Sequence, residues 1–168
     1  ESYRSSVLSQ QHIYKSLWSR GRFNLSPQVS TDGKYAGWFT SHKDDGSRTD
    51  LIIADYSQSS VKKRVPYAHS SLSFSGSKTV YYLKSRSPDR NGSYFNDIYS
   101  FDIGEDVEKK LTSGARVYAL AASPDNRSIA CIRYNSGIFS VEMFDIQSRT
   151  FHKLCAGERG TPFMHLSF

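Results

Sequence analysis

The chain has little of what enzymes and metal proteins are commonly built around. Its 168 residues include only two cysteines, Cys131 and Cys155, with no CxxC and no Cys/His spacing that could close a zinc cage or form a redox pair. Both fall in strand-like segments of one repeat. Two free buried thiols are expected there, since a disulfide would need an oxidising compartment. No apolar run approaches the roughly 20 residues of a membrane-spanning helix, and none follows the first residue as a signal peptide requires. A G-x-S-x-G elbow, an H-E-x-x-H pair and a phosphate-cradling glycine loop are all missing, and the five histidines (12, 42, 69, 152 and 165) have no close acidic companion. Structural roles are therefore expected for His69 and His165, in or just before innermost strands, and for His152 in an outer strand. The inventory argues against an enzyme: it offers no catalytic residue, no cofactor site and no metal site. Asp44-Asp45-Gly46 lacks the alternating oxygens and distant Glu of a calcium loop and reads as a hairpin tip. The triplets Asn91-Gly92-Ser93 and Asn126-Arg127-Ser128 fit a glycosylation acceptor, which matters only in a eukaryotic secretory protein.

What is present suits a folded domain. Hydrophobic residues make up 38% of the chain and aromatic ones 14%, enough to fill a core. Twenty-two Lys and Arg against 16 Asp and Glu give a net charge of +6, spread along the chain rather than gathered into runs.

The main signal is internal repetition. Ser30-Thr31-Asp32-Gly33, Ser75-Gly76-Ser77 and Ser123-Pro124-Asp125-Asn126 each follow a short apolar segment and precede a β-branched or aromatic one, and their serines stand 45 and 48 residues apart. A second anchor ends in Asp55, Asp102 and Asp145, 47 and 43 residues apart, and a third closes each unit with Arg64-Val65, Lys110-Leu111 or Lys153-Leu154. Each unit reads as four strands. The Ser/Asp/Gly turn reverses the first strand into the second, a variable loop leads to a third strand of period two (Ile98, Ser100 and Asp102 on one face; Tyr99, Phe101 and Ile103 on the other), and a last strand follows. Four antiparallel strands repeated at this period make propeller blades, whereas a generic sandwich has no reason to repeat one set of anchors.

Ser123-Pro124-Asp125-Asn126 before Ile129-Ala130, Asp97-Ile98-Tyr99-Ser100-Phe101-Asp102 and Lys109-Lys110-Leu111-Thr112 resemble the WD40-like repeat of the TolB family. The resemblance covers about residues 25 to 168 and weakens at Ser30-Thr31-Asp32-Gly33 and at Ser75-Gly76-Ser77, which lacks the acidic residue. It implies an all-β chain of four-stranded antiparallel blades, and a periplasmic or cell-envelope location. Ordinary WD repeats fit less well, because Trp38 is not followed by Asp and no Gly-His frames the units. Related propellers also cover the active sites of prolyl-oligopeptidase-like peptidases.

The expected organisation is a helical linker or the end of an upstream domain over residues 1–24. Blades follow at about 25–67, 68–114 and 115–158, and a fourth starts at 159–168. Within residues 1–23, Tyr3, Val7, Tyr14 and Leu17 or Trp18 recur at roughly helical spacing. The chain starts at Glu1 and stops at Leu166-Ser167-Phe168 inside an expected strand, so it reads as a piece of a longer protein. Three blades cannot close a ring, and further blades from the rest of the chain or a second copy would have to cover the end faces.

In this architecture the loops joining second to third strands share a face with the inter-blade connections. Ser41 to Thr49, Lys84 to Asn96 and Asn135 to Gly137 are expected to be long and polar, and binding residues belong on such loops. Lys84, Arg86, Arg90, Tyr94 and Phe95, joined by Arg116 and Arg159 from the connections, mix guanidinium groups with aromatics in a way that suits a protein surface or acidic peptide. Asp44, Asp45, Asp50, Asp89 and Asp97 in or beside the same loops would repel phosphates, which argues against nucleic acid. The reading is a non-catalytic propeller scaffold for protein or peptide partners. The alternative is a substrate-gating or regulatory propeller of a peptidase whose catalytic domain lies outside this sequence.

Overall fold

The structure, a computed structural model, describes residues 24–41, 49–85, 95–159, 161, 163, 166 and 167. The helical reading of residues 1–23, His165, and the Asp44-Asp45-Gly46 and Asn91-Gly92-Ser93 motifs lie outside the described residues.

Among these residues twelve strands form three antiparallel four-stranded sheets, each with its strands in sequence order. The first blade comprises β1 (Asn24–Val29), β2 (Tyr35–Ser41), β3 (Thr49–Asp55) and β4 (Ser60–Pro66). The second comprises β5 (Ala68–Ser75), β6 (Thr79–Lys84), β7 (Asp97–Asp102) and β8 (Val107–Lys110). The third comprises β9 (Val117–Ala122), β10 (Ser128–Asn135), β11 (Ile138–Asp145) and β12 (Thr150–Ala156). No helix occurs among the described residues, and none there is long and apolar enough to cross a membrane.

The central strands of a blade are covered on both faces, which is why Leu51-Ile52-Ile53-Ala54 reads as an unbroken apolar run and is buried throughout. Alternate residues serve different layers. Phe39, Leu51, Ile53 and Val65 pack against Leu72, Val80, Tyr82, Tyr99 and Phe101 at the first junction, while Ala36, Trp38, Ile52 and Ala54 cluster with Tyr56 on the opposite face of the first blade. In the same way Tyr81, Leu83 and Ile98 face Leu120, Ala122, Ile129, Cys131 and Phe144 at the second junction. The period-two reading of residues 98–103 therefore corresponds to two different blade junctions.

The turn anchors of the first and third blades and the aspartates ending the third strands have local hydrogen-bonding tasks. In the first blade Ser30 Oγ donates to Asp32 Oδ1 (2.6 Å) and accepts from Tyr35 N (2.9 Å), while Lys34 N donates to the same carboxylate (3.1 Å). Ser123, Asp125, Arg127 and Ser128 repeat the arrangement in the third blade. The turns require left-handed backbone, supplied by Gly33 at φ 70° and Asn126 at φ 61°. The aspartates ending the third strands cap the following turns: Asp55 accepts from Ser57 N and Gln58 N, Asp102 from Gly104 N and Glu105 N, and Asp145 from Ser148 N. Asp97, at the start of β7, accepts from Thr112 Oγ1 and Ala115 N, and so ties the blade to the next connection.

Cys131 is buried, and burial pushes its thiol pKa up to about 12. Cys155 is exposed, contrary to the expectation of two buried thiols, because β12 is the outermost strand of its sheet. The two lie on strands flanking β11, so their Cα atoms are separated by two strand spacings, about 9–10 Å. That is beyond the ~7 Å reach of a disulfide.

Candidate binding site

The loop face carries a cavity of about 410 Å³ between the second and third blades, lined by His69, Ser70, Phe95, Asn96, Arg116, Val117, Tyr118 and Tyr134. Irregular backbone shapes it. The innermost strand of each blade carries a β-bulge near its start, between Leu25 and Gln28 in β1, between Ala68 and Leu72 in β5, and at Tyr118 in β9, where Val117 and Ala119 but not Tyr118 pair with β10. A bulge re-aims side chains, and two of these bulges place Ser70 and Tyr118 on the cavity wall. Ser70 (φ 68°) and Arg116 (φ 57°) are both held in the left-handed region, which is strained for residues of their type.

The Arg116 guanidinium lies over the Phe95 ring, 4.3 Å from its centroid. No carboxylate among the described residues comes within 4.0 Å of it. Its backbone is fixed, because Arg116 O accepts from Tyr134 N (3.1 Å) and Val117 N donates to Asn96 O (3.1 Å). An aromatic cluster adjoins the same cavity, which Tyr118 and Tyr134 line. Tyr118 meets Tyr134 and Phe139 edge-on, with centroids at 5.9 and 5.3 Å, and Tyr134 packs on Phe139 at 4.7 Å. Tyr118 remains 53% exposed although it sits in a strand.

His69 closes the floor. Ser85 Oγ donates to Asn96 Oδ1, so in its 3.1 Å contact with His69 Nε2 it can only accept, which places the imidazole proton on Nε2. Burial holds the His69 pKa below its ordinary value, so the ring is neutral near pH 7.

Of the residues singled out in the sequence, Phe95 and Arg116 meet in this cavity. Lys84 is directed elsewhere: β6 and β7 pair out to Lys84 and Asp97, and the ammonium binds Glu108 (2.9 Å) and sits over the Tyr99 ring. Burial would raise the Glu108 carboxyl, but the Tyr82 hydroxyl and Lys84 together hold it below the usual range. Arg159 packs its side chain beside Gly137 on the β10–β11 hairpin. That hairpin is a two-residue turn through Ser136 and Gly137, both at positive φ, and not a long loop. Arg86, Arg90 and Tyr94 lie outside the described residues. The sequence did not single out His69, Asn96, Tyr118 and Tyr134 as partner-binding residues, and the bulge that exposes Tyr118 leaves no signature in residue type. Among the described residues no group of three or more His, Cys, Asp or Glu is arranged to hold a metal ion.

No family model matches the chain, and no curated protein matches it. Solved structures do resemble it. TolB from Acinetobacter baumannii superposes with a TM-score of 0.62 at 20% identity, over 79% of this chain and 32% of that one. The β-propeller domain of the Trilobed protease from Pyrococcus furiosus gives 0.61 at 13% identity, over 80% and 42%. Pyrococcus horikoshii acylaminoacyl peptidase gives 0.62 at 10% identity, over 82% and 25%. The chain thus spans less than half the length of each of these proteins. At these identities the likeness is one of fold, and the fold is a TolB-like β-propeller.

Proposed function

Starting from a TolB-like propeller fold, we propose that the chain is a non-catalytic scaffold in the bacterial cell envelope, binding a protein or peptide partner on its loop face at the junction of the second and third blades. The observation that carries this reading is the cavity that Arg116, lying over the Phe95 ring, lines together with Tyr118 and Tyr134. Arg and Tyr are the residue types that dominate binding energy at protein interfaces, and here they line one concavity. A photo-crosslinking residue in place of Tyr118 is expected to trap a partner in the envelope of the native host. The same residue in place of Val107, exposed at the far turn of the second blade, should not. Equal trapping at both positions, or at neither, overturns the assignment.

A second reading has its own support. Two of the similar structures are a protease's propeller domain and a peptidase. Here the propeller would gate or regulate a peptidase domain encoded elsewhere in the same protein, and a complete reading frame without a hydrolase domain removes it.

A further inference from the structure

Resting on the scaffold reading, the geometry points to a defined occupant: a peptide segment carrying a carboxylate side chain within one or two positions of an aromatic one, the carboxylate bound by Arg116 and the ring seated against the exposed Tyr118 ring. The cavity and its chemistry argue for each half. With the Arg116 guanidinium resting over the Phe95 ring, its edge is still available to a ligand, and that edge is the fork that matches a carboxylate. The ring and the fixed backbone of Arg116 hold the fork before anything binds, which lowers the ordering cost of complex formation. Tyr118 meets Tyr134 and Phe139 edge-on, and the half-exposed Tyr118 presents open aromatic surface at the cavity. A volume of about 410 Å³ is at the small end for ligand sites, suited to two side chains rather than a large cofactor.

Charge selects among anions. Of the cavity's described lining residues only Arg116 is cationic at neutral pH, since His69 is neutral and spends Nε2–H on Ser85. Lys84, the nearest lysine in sequence to the cavity's Phe95, is neutralised by Glu108. One cation matches one carboxylate. It does not match a polyphosphate or a nucleic-acid backbone, which would need several.

The test uses two blocked hexapeptides, acetyl-Gly-Ser-Asp-Phe-Ser-Gly-amide and its Asp→Asn counterpart, titrated into the isotopically labelled chain and read by amide NMR shifts. The Asp peptide is expected to move the amides of Asn96, Val117, Tyr118 and Tyr134 and to bind about tenfold more tightly than the Asn peptide, the difference one charge-assisted hydrogen-bonded pair makes. Arg116→Asn should abolish that preference without disturbing the fold, because Asn tolerates the left-handed backbone at this position. Tyr118→Ala should weaken both peptides alike. Equal binding of the two peptides to the unaltered chain overturns the carboxylate assignment while leaving the scaffold reading standing. Failure of the Asp peptide to move these amides at millimolar concentration overturns the peptide occupant, and the crosslinking at Tyr118 then decides the scaffold reading separately. A preference that survives Arg116→Asn overturns the role given to Arg116.

Discussion

The two blade junctions solve the same packing problem by different means. At the first, large side chains do most of the filling, with Phe39, Tyr82, Tyr99 and Phe101 meeting among aliphatic residues, and Thr49 Oγ1 donating to Ala68 O (2.9 Å). At the second, Ala115, Ala122 and Cys131 take up much less room, and the innermost strands approach closely enough to bond through side chains. Ser71 Oγ accepts from Leu120 N and donates to Leu120 O (both 3.1 Å), Ser73 Oγ accepts from Ala122 N (3.0 Å), and Ser75 Oγ donates to Ser123 O (2.6 Å). These serines satisfy main-chain groups of β9 that have no neighbouring strand on that side. Tyr81 adds a bond from its hydroxyl to Asn126 Oδ1 at 2.5 Å, and burial pushes its pKa up to about 12. The second junction is thus narrow and cross-linked by hydrogen bonds, and the candidate binding cavity opens directly above it. A cavity built there has walls whose spacing is fixed from below.

The largest effect should come from the first junction. Phe101→Ala empties a fully buried ring and is expected to cost about 3–5 kcal/mol, read as a lowered urea midpoint with Trp38 fluorescence as the probe. A loss below 1 kcal/mol would mean that aromatic filling does not hold this junction. At the second junction Ser71→Ala leaves the N–H and C=O of Leu120 without their partner and should cost about 1–2 kcal/mol, the lower part of the range because the site is only partly buried. Thr49→Val, which removes one side-chain bond at the first junction, should cost less than that. If the two substitutions cost the same, the serine ladder is no more than incidental contact.

The difference between junctions also marks where sequence reasoning stops. Blade period, strand order and turn positions were legible because most anchors act within a few residues of themselves: Ser30 and Asp32 close their own turn, and Asp145 caps the residues that follow it. Phe95 and Arg116 were legible as candidates from residue type and loop position, but their stacking was not, because 21 positions separate them and only the Val117–Asn96 and Tyr134–Arg116 main-chain bonds bring the segments together. Tyr118 escaped notice because an aromatic residue in a strand reads as core, and only the unpaired bulge position turns it outward. Lys84 was placed with the loop, whereas the β6–β7 ladder extends through it and carries its ammonium to Glu108. Ser71 and Ser73 of β5 carried no signal at all, since small polar residues in a strand are unremarkable until the partner strand is known.

The smallest effect concerns the turns, where the second blade differs from its neighbours. Hydroxyl donation from Ser30 and from Ser123, assisted by the amides of Lys34 and Arg127, holds Asp32 and Asp125 below the usual carboxylate range. A carboxyl whose pKa is depressed on folding stabilises the folded state above its unfolded value, about 3.9, and that contribution disappears as pH falls through the lower folded value. Acid should therefore loosen the first and third turns. The second has Gly76 and Ser77 where they have residues around an aspartate, and Ser75 directs its hydroxyl to Ser123 O, an interaction with no titrating partner. Amide NMR between pH 5 and pH 2 should show Lys34 and Arg127 moving with a carboxylate titration while Lys78 and Thr79 stay in place. Equivalent movement at all three turns would mean that the aspartates respond to a general acid expansion and not to their own serines.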